Sequence, residues 1–233
     1  MMTEYRGLLF DLDGTLVDSV ADICAAVNHM LLLIGLPSLR EDAVRRMIGD
    51  GLPKLAERAL EAAGGDMSTL AEFTMGVSSY YQEHAADHTA CFPNVFATLQ
   101  YLYERGIRLG VVTNKPVSAT RIILRSLELS DFIDVVVGGD SLPVRKPDPA
   151  PVIEAVRLLG ISPEHILMVG DSAHDVDAAF GAGIKSVAVT YGYHRSPPSS
   201  FNADHLIDSF EDLLAIVLQI APIVPFDKAY TKL

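Results

Sequence analysis

The sequence predicts an α/β protein, a Rossmann-like parallel sheet flanked by helices, with an all-helical domain inserted into it. Three observations lead to this prediction. Short, fully apolar runs recur along the chain, helical patterns separate them, and one long stretch without a convincing strand interrupts the alternation. Fully apolar strands are typical of parallel sheets buried on both faces, and strands that alternate with helices form crossover units.

Five apolar runs are predicted to be the strands of the sheet. Each is short, rich in Leu, Ile and Val, and closed by Asp, Gly, Thr or Asn, which is the pattern of buried strands. The runs are Leu8–Phe10, Leu109–Val112, Ile133–Val137, Ile166–Val169 and Val187–Val189. Amphipathic patterns between the runs predict helices over Val95–Glu104, Ala119–Leu127 and Ala150–Leu159.

Residues 19–90 break this alternation with a series of helical patterns. The spacing of apolar residues predicts helices over Val20–Leu31, Ala43–Ile48, Leu52–Ala63 and Leu70–Tyr81. Ser19 is predicted to be the N-cap of the first of these helices, with Asp22 in its first turn.

The interruption divides the chain into two predicted domains. Residues 1–17 and 91–233 form an α/β core domain, and residues 18–90 form a helical cap domain inserted after the first strand. The hinges between the two domains are expected near residues 17–19 and 91–93.

Charge and composition exclude several classes of function. The chain has 233 residues, is 49% hydrophobic, and carries 18 Lys and Arg against 30 Asp and Glu, a net charge of −12. This balance disfavours nonspecific binding to nucleic acid or to an anionic membrane, since both require basic surface. The apolar run Leu213–Pro222 is too short for a bilayer span, which takes about 20 residues. A locally positive site for a small anion stays compatible with this composition.

From the cysteines and the N-terminal residues we expect a cytoplasmic protein. Cys24 and Cys91 are too far apart to form a disulfide framework, and we expect both to be small buried residues in a reducing compartment. The N-terminal residues MMTEYRG show no basic region leading into a long apolar stretch, so no secretory signal is expected. The C-terminal stretch APIVPFDKAYTKL has no clear period and is predicted to be a docked or frayed tail.

Polar residues follow the predicted strands at the point where each strand ends. In an open parallel sheet, ligands bind beyond the carboxyl ends of the strands, so these side chains are expected to meet at one edge. Four carboxylates, a hydroxyl, an amide and an ammonium are placed there: Asp11, Asp13, Thr113, Asn114, Lys146, Asp171 and Asp175.

Four carboxylates at one edge require a compensating positive charge. Two unit charges 4 Å apart interact by roughly 4 kcal/mol at an effective dielectric constant near 20. Asp11, Asp13 and Asp171 offer hard oxygen ligands with no His or Cys among them, which suits Mg²⁺. An ammonium, a hydroxyl, an amide and Mg²⁺ around an open space predict a phosphoryl-binding site.

Four segments carry a resemblance to a known family. FDLDGTLVDS, VVTNKP, RKPDP and VGDSAHDVDAAFGAG resemble the four ordered motifs of the haloacid dehalogenase-like (HAD) superfamily, in its phosphatase branch with a helical cap after the first motif. The resemblance covers nearly the whole chain except the last dozen residues. It implies phosphoryl transfer rather than dehalogenation, because a dehalogenase lacks the second aspartate, Asp13.

The resemblance also implies the roles of individual residues. Asp11 would attack phosphorus to give an aspartyl-phosphate, and Asp13 would protonate the leaving alkoxide and then accept a proton from water. Mg²⁺ would be bound by the Asp11 and Asp171 side chains and the Asp13 carbonyl. Lys146 would stabilise the nucleophile and the developing charge.

Three further residues receive supporting roles from the same resemblance. Thr113 and Asn114 would bind phosphoryl oxygens, and Asp175 would contact Lys146 or a water on the metal.

The cap segment AVRRMIGDGLPKLAERAL resembles the substrate-recognition loop of bacterial phosphoglycolate phosphatases, and VAVTYGYHRSP after the fifth strand also resembles that subfamily. Arg45, Arg46 and Lys54 flank the GDG in the cap segment, where a charged helix face is the competing interpretation. A small phosphate ester with a carboxylate is expected to bind a cation from the cap. We therefore expect Arg46 to bind substrate and 2-phosphoglycolate to be that substrate.

Several alternatives stay open at the level of the sequence. A phosphomutase or pyrophosphatase could use the same scaffold, and a non-catalytic phosphoryl-binding protein is the alternative from another class. Asp18 is as well explained by helix capping as by function, and Lys115 could face substrate or solvent.

Three polar residues invite rival sites that the sequence does not favour. Ser172 and His174 have no GxSxG elbow around them, so turn and helix-start roles are favoured. His84 and His88 are spaced as a zinc pair but have no obvious third ligand, which favours a solvated helix end.

Overall fold

The structure, a computed structural model, describes residues 5–218. The predicted C-terminal tail and the end of the run Leu213–Pro222 lie outside the described residues. Within residues 5–218, the helices all fall short of the length and apolar character needed to cross a membrane.

The strands and helices alternate as the sequence predicts. The strands in chain order are β1 (Gly7–Phe10), β2 (Val17–Asp18), β3 (Ala90–Cys91), β4 (Arg108–Val112), β5 (Val135–Val137), β6 (Ile166–Gly170), β7 (Lys185–Val189) and β8 (His205–Ile207). The helices are α1 (Val20–Leu33), α2 (Glu41–Arg45), α3 (Leu52–Ala62), α4 (Leu70–His84), α5 (Val95–Glu104), α6 (Val117–Ser126), α7 (Ala150–Leu159), α8 (Ala173–Gly181) and α9 (Leu213–Leu218).

Six strands form one parallel sheet in the order β5-β4-β1-β6-β7-β8, which confirms the predicted Rossmann-like fold class. The first strand lies between β4 and β6, and Phe10 is in register with both Val111 and Val169. The residues that follow these three strands therefore emerge side by side at the carboxyl edge of the sheet.

The central strands are apolar throughout because both of their faces are covered. Leu8 and Phe10 point into the larger hydrophobic cluster, whereas Leu9 belongs to a second cluster with residues of α7. Since successive side chains of a strand alternate between the two faces, a strand covered on both sides needs apolar residues at every position. All three side chains have no exposed surface.

Two strand predictions differ from the structure at the edges of the sheet. The predicted strand Ile133–Val137 is too long at its start, because Ile133 ends a 3₁₀ turn and the strand begins at Val135. The edge strand β8 was not predicted, because it has three residues, begins with His205 and is only partly buried. Both strands are short edge strands, where the apolar signal is weakest.

Helices α1–α4 lie between β2 and β3, which pair with each other as a short antiparallel ribbon. Val17 pairs with Cys91 and Asp18 with Ala90, so the two chain connections run side by side. The predicted boundary of the cap, at residues 18 and 90, coincides with this ribbon.

Both cysteines are free thiols, as expected, but only Cys24 is buried. Cys91 is half-buried because it lies in the two-stranded ribbon and not in the main sheet. The expectation that both thiols are buried is wrong for Cys91.

Ser19 occupies the N-cap position of α1, but its side chain does not cap the helix. Its hydroxyl donates instead to Asp13 Oδ1 at 2.5 Å. The backbone N–H groups of Ser19 and Val20, which have no partner within the helix, donate to the hydroxyl of Tyr193 at 2.8 and 3.2 Å. That hydroxyl donates in turn to Asp18 Oδ1 at 2.5 Å, so the end of the helix is satisfied by a tyrosine from the core.

Asp22 fixes the first turn of α1 to the segment that leaves the cap. It is 1% exposed and accepts hydrogen bonds from the backbone N–H groups of His88 and Thr89, at 3.0 and 2.8 Å, and from the Thr89 hydroxyl at 2.7 Å. Burial raises the pKa of Asp22, but the hydrogen bonds from Thr89 and His88 outweigh burial and hold it below its usual value.

Candidate active site

The site begins where β1 ends. The backbone N–H of Asp11 donates to the carbonyl of Val169 at 2.9 Å, which extends the sheet pairing by one residue. The N–H of Thr113 donates to the carbonyl of Val137 at 3.0 Å in the same way on the other side. These contacts place Asp11 and Thr113 at the carboxyl edge, as the sequence predicts.

A buried lysine lies between two of the predicted carboxylates. Lys146 Nζ is 3.0 Å from Asp11 Oδ1 and 2.5 Å from Asp175 Oδ1, and it also donates to the carbonyl of Val112 at 2.5 Å. Burial alone lowers the pKa of Lys146, but the Asp11 and Asp175 carboxylates outweigh burial and raise it above its ordinary value. Lys146 is therefore a fixed positive charge beside Asp11.

Asp171 completes a cluster of carboxylates that is short of positive charge. Oxygen atoms of Asp11, Asp171 and Asp175 all lie within 4.8 Å of one another, and all three residues are buried or nearly so. Burial raises the pKa of Asp11 to about 6, with Lys146 opposing the shift. Burial, then the neighbouring Asp11 and Asp175 carboxylates, raise the pKa of Asp171 well above its usual range. An additional cation would stabilise the ionised cluster.

The glycine after Asp13 lets the chain turn back against Asp171. Gly14 has φ +87°, and a Cβ added there would lie 2.2 Å from Asp171 Oδ2. The N–H of Gly14 donates to the carbonyl of Val17 at 2.9 Å, which closes a tight turn. A residue larger than glycine would therefore displace a carboxylate of the cluster.

Asp13 has a different set of partners from Asp11. Lys115 Nζ is 2.8 Å from both carboxylate oxygens of Asp13, and the Ser19 hydroxyl donates to one of them. Lys115, whose role the sequence left open, is thus buried at the site and does not face solvent.

Thr113 and Asn114 follow β4 and face the same space. The Thr113 hydroxyl oxygen accepts from the N–H of Lys115 at 3.2 Å, which does not use the hydroxyl proton. The Asn114 amide donates to the carbonyls of Gly49 and Lys146 at 2.9 and 3.0 Å. The predicted contact of Asn114 with phosphoryl oxygens would require the release of one of these bonds.

A cavity of about 80 Å³ lies between the carboxyl edge and the cap. Asp11, Asp13 and Thr113 line it from the core, and Tyr81 and Leu55 are among the cap residues that close it. The small volume suits a compact ligand.

The structure does not bring the predicted cap cations to this cavity. The side chain of Arg46 is 64% exposed and pairs with Asp42 at 3.5 Å. Arg45 pairs with Asp18 and Glu41, at 3.7 and 3.3 Å, in contact with the Tyr193 ring. Lys54 pairs with Glu57 at 2.7 Å. In each case the nearest carboxylate lies in or beside the cap, so the local charge is already compensated.

Sequence reasoning missed a contact between the cap loop and the loop after β7. Arg195 donates to the carbonyls of Arg46 and Ile48, at 2.9 and 2.6 Å, and its Nη1 is 2.7 Å from Asp50 Oδ2. Asp50 also pairs with Arg58. The available signal was the segment YGYHRSP, whose polar residues have no place in a strand.

Tyr193 was also missed, although it touches both the acidic cluster and the start of the cap. Its N–H donates to Asp171 Oδ2 at 2.6 Å, in addition to the contacts of its hydroxyl with α1. Asp18 accepts from the Tyr193 hydroxyl and more weakly from the N–H of Val20 at 3.4 Å, so its capping role is shared with a tyrosine.

The rival sites have the structural roles that the sequence favours: Ser172 and His174 begin a helix, and His84 and His88 form no metal pair. Ser172 is the N-cap of α8 and forms a capping box with Asp175. His174 lies in the first turn of the same helix, 3.4 Å from Asp50. Helix α4 ends at His84, so His88 does not share a helix face with it, and the two histidines contact Asp87 and Asp22 respectively.

Comparison with known proteins agrees with this geometry. The family model of haloacid dehalogenase-like hydrolases matches residues 8–189. The chain is 41% identical to phosphoglycolate phosphatase 1 of Pseudomonas aeruginosa PAO1, over 94% of this chain and 82% of that protein. It is 40% identical to the phosphoglycolate phosphatase of Salmonella typhi, over 91% of this chain and 92% of that protein.

Solved structures share the whole architecture. The crystal structure of a predicted phosphoglycolate phosphatase from Haemophilus somnus 129PT has a TM-score of 0.87 and 36% identity, over 93% of this chain and 99% of that one. CbbY from Rhodobacter sphaeroides, solved in complex with phosphate, has a TM-score of 0.79 and 26% identity, over 91% and 99% of the two chains. The chain therefore belongs to the haloacid dehalogenase-like hydrolase family, as an enzyme that resembles its phosphoglycolate phosphatases.

Proposed function

We propose that this enzyme is a Mg²⁺-dependent phosphatase that hydrolyses a small phosphate monoester, 2-phosphoglycolate, to glycolate and phosphate through an aspartyl-phosphate. The observation that carries the proposal is that two aspartates two positions apart have different partners: Asp11 faces Lys146 and the acidic cluster, and Asp13 faces Lys115. The names of the relatives support the substrate, and the phosphate complex of CbbY supports a phosphoryl site on this fold.

The donor set fits Mg²⁺. Asp11 and Asp171 would bind the ion through carboxylate oxygens, with the Asp13 carbonyl as a third ligand, and hard oxygen donors of this kind suit Mg²⁺. Burial raises the pKa values of Asp11 and Asp171, and the neighbouring carboxylates raise them further. These directions support the assignment, because a bound cation would stabilise the ionised carboxylates. When bound, the ion neutralises charge on the phosphoryl oxygens and orients the phosphoryl group.

Hydrolysis proceeds in two steps on the residues of this chain. In the first, a carboxylate oxygen of Asp11 attacks phosphorus, the bond from phosphorus to the ester oxygen breaks, and Asp13 gives its proton to that oxygen. In the second, Asp13 accepts a proton from water, whose oxygen attacks phosphorus and releases Asp11 and phosphate. Lys146 holds the Asp11 carboxylate in place, and the Thr113 hydroxyl proton is available to a phosphoryl oxygen.

The small cavity supports a compact leaving group, and the acidic surface supports a soluble metabolite as substrate with no nucleic acid or membrane partner. We also propose a cytoplasmic location, which the two free cysteines support.

Phosphate release from 2-phosphoglycolate tests the proposal. We expect turnover with Mg²⁺, none after exhaustive chelation, and recovery when Mg²⁺ is restored. Asp11→Asn is expected to abolish turnover while its thermal unfolding stays close to that of the wild type, since the side chain keeps its shape. Turnover that survives chelation, or a fully active Asp11→Asn variant, would refute the corresponding part of the proposal.

A further inference from the structure

Lys115 places a buried positive charge beside the acid that serves the leaving group. Its side chain is 6% exposed, and its Nζ lies 2.8 Å from both oxygens of Asp13. Burial alone lowers the pKa of Lys115, but Asp13 and Tyr81 outweigh burial and raise it, so the amine is charged. Lys115 Nζ also lies 4.6 Å from the centroid of the Tyr81 ring.

Lys115 is the one Lys, Arg or His side chain among the described residues that line the cavity. The cap side of the same cavity includes Ile23, Leu52, Leu55 and Val77. An apolar wall lowers the local dielectric constant, so a charge beside it attracts an anion more strongly than a surface charge does. Asp13 compensates Lys115 while its carboxylate is ionised. Once Asp13 carries the proton that it gives to the ester oxygen in the proposed mechanism, the ammonium attracts a ligand with a negative charge close to it.

Tyr81 supplies an unused donor at the same place. It is 8% exposed, and its buried hydroxyl has no hydrogen-bond acceptor among the residues that the structure describes, although the Lys115 ammonium is close enough to lower its pKa. Burial raises the pKa of Tyr81 to about 12, so the hydroxyl keeps its proton and can donate. Buried polar groups nearly always have a partner in folded proteins, so an acceptor from a ligand is expected here.

We propose that the Lys115 ammonium, from the core, and the Tyr81 hydroxyl, from helix α4 of the cap, together bind a carboxylate on the leaving alcohol of the substrate. They are then the residues that make the enzyme select phosphate monoesters with an anionic group next to the ester oxygen. This assignment rests on the proposed phosphatase function and replaces Arg46 as the source of the charge.

The distances explain why the anion must be close to the ester oxygen. Asp13 donates its proton to that oxygen, and Lys115 Nζ lies 2.8 Å from Asp13, so a carboxylate one carbon away from the oxygen reaches the ammonium. Sharing Lys115 with this carboxylate also frees an oxygen of Asp13 to face the ester. A neutral leaving alcohol has no carboxylate to bind Lys115, so it does not free an oxygen of Asp13. It also leaves the Tyr81 hydroxyl without an acceptor.

The test compares 2-phosphoglycolate with ethyl phosphate, which replaces the carboxylate by a methyl group. Lys115→Met and Tyr81→Phe remove the two donors and nearly keep the side-chain volumes. Because a hydrogen bond to a charged group contributes about 1.5 to 3 kcal/mol, each variant is expected to reduce the preference for 2-phosphoglycolate, as a ratio of kcat/KM values, by about tenfold or more. For Tyr81→Phe most of the loss is expected in KM for 2-phosphoglycolate.

Tyr80→Phe is the matched control, because Tyr80 is the preceding residue of α4 and stacks between His29 and His84. It is expected to leave the ratio unchanged. Equal losses on both esters in Lys115→Met and Tyr81→Phe would overturn the assignment alone, as would a selective loss confined to Arg46→Ala. Failure of the wild type to hydrolyse either ester would overturn the proposed function and, with it, this assignment.

Discussion

At the scale of single residues, two aspartates that are two positions apart each have their own lysine. Asp11 contacts Lys146, which comes from the loop after β5, and Asp13 contacts Lys115, which comes from the loop after β4. In the proposed mechanism the two identical side chains serve as nucleophile and as proton donor, and their different surroundings support this division.

Gly14 offers a test of how closely the turn and the acidic cluster are packed. Gly14→Ala is expected to lower the free energy of unfolding by about 2 to 4 kcal/mol, from positive-φ strain plus the displacement of Asp171, and to weaken the response of turnover to Mg²⁺. Urea denaturation and Mg²⁺ titration of turnover measure the two effects.

Gly35→Ala is the control for backbone strain alone, because Gly35 has φ +75° and no atom within 4 Å of an added Cβ. It is expected to cost only about 1 kcal/mol and to leave the Mg²⁺ response intact. Equal losses of stability in the two variants, with full activity in both, would contradict the packing argument.

The hydrogen bonds of Asp22 predict that its contribution to the free energy of unfolding depends on pH. Asp22→Ala leaves the backbone N–H groups of His88 and Thr89 without their buried acceptor, so it is expected to cost about 2 to 4 kcal/mol near neutral pH. The Thr89 hydroxyl can still donate to the carbonyl of Ala85, at 3.0 Å. Because the pKa of Asp22 is lowered in the folded state, its contribution is present above the ordinary Asp value of about 3.9 and is lost as the pH falls through the folded value.

Urea denaturation over a pH series measures this contribution. The difference between wild type and Asp22→Ala is expected to be constant down to about pH 4 and to shrink below it. His88 is the titratable partner that also faces Asp22, so His88→Gln belongs in the series. Asp177→Ala, at an exposed position of α8, is the control. A difference that grows on acidification would contradict the assigned role.

At the scale of elements, two sets of contacts hold the cap against the core. The ribbon of β2 and β3 joins the two connections, and Arg195 binds the loop that precedes α3 through two carbonyls and Asp50. Burial raises the pKa of Asp50, but bonds from Arg195 and Arg58 outweigh burial and lower it. The Arg195 contact is thus a charged link between the loop before α3 and the loop after β7.

Arg195→Met is expected to raise KM for 2-phosphoglycolate about three- to tenfold with a smaller change in kcat, since it weakens closure of the loop but not the acidic cluster. Steady-state kinetics at saturating Mg²⁺ measures the two parameters. Arg157→Met, which removes an exposed arginine that pairs with Glu154, is the control and is expected to change neither. An unchanged KM in Arg195→Met would show that the contact does not assist binding.

Elements with a continuous apolar pattern were predictable, and short edge elements were not. Helices α5 and α7 have the predicted bounds because each has a complete amphipathic stripe between turn residues. Strand β8 has three residues with a half-exposed pattern, so the sequence carries little signal for it. Strands β2 and β3 have two residues each and are stabilised by their pairing, which a local pattern does not contain.

At the scale of the whole molecule, the carboxyl edge of the sheet could be predicted and the cap side of the cavity could not. Asp11, Thr113 and Asp171 follow strands, so the parallel sheet alone brings them together. The position of a cap side chain depends on how the helices close over the core. For this reason the sequence indicated Arg46 as the cation that binds the substrate and left the role of Lys115 open.

The proposed mechanism requires that phosphoryl transfer passes through Asp11. Its most direct test is to quench the enzyme in acid during turnover of 2-phosphoglycolate with Mg²⁺ and to map the phosphorylated residue by mass spectrometry of its peptides. A phosphoryl group is expected on Asp11 in the wild type, and none in Asp11→Asn treated in the same way. A phosphoryl group on Asp13 or on any other residue of the enzyme would contradict this mechanism.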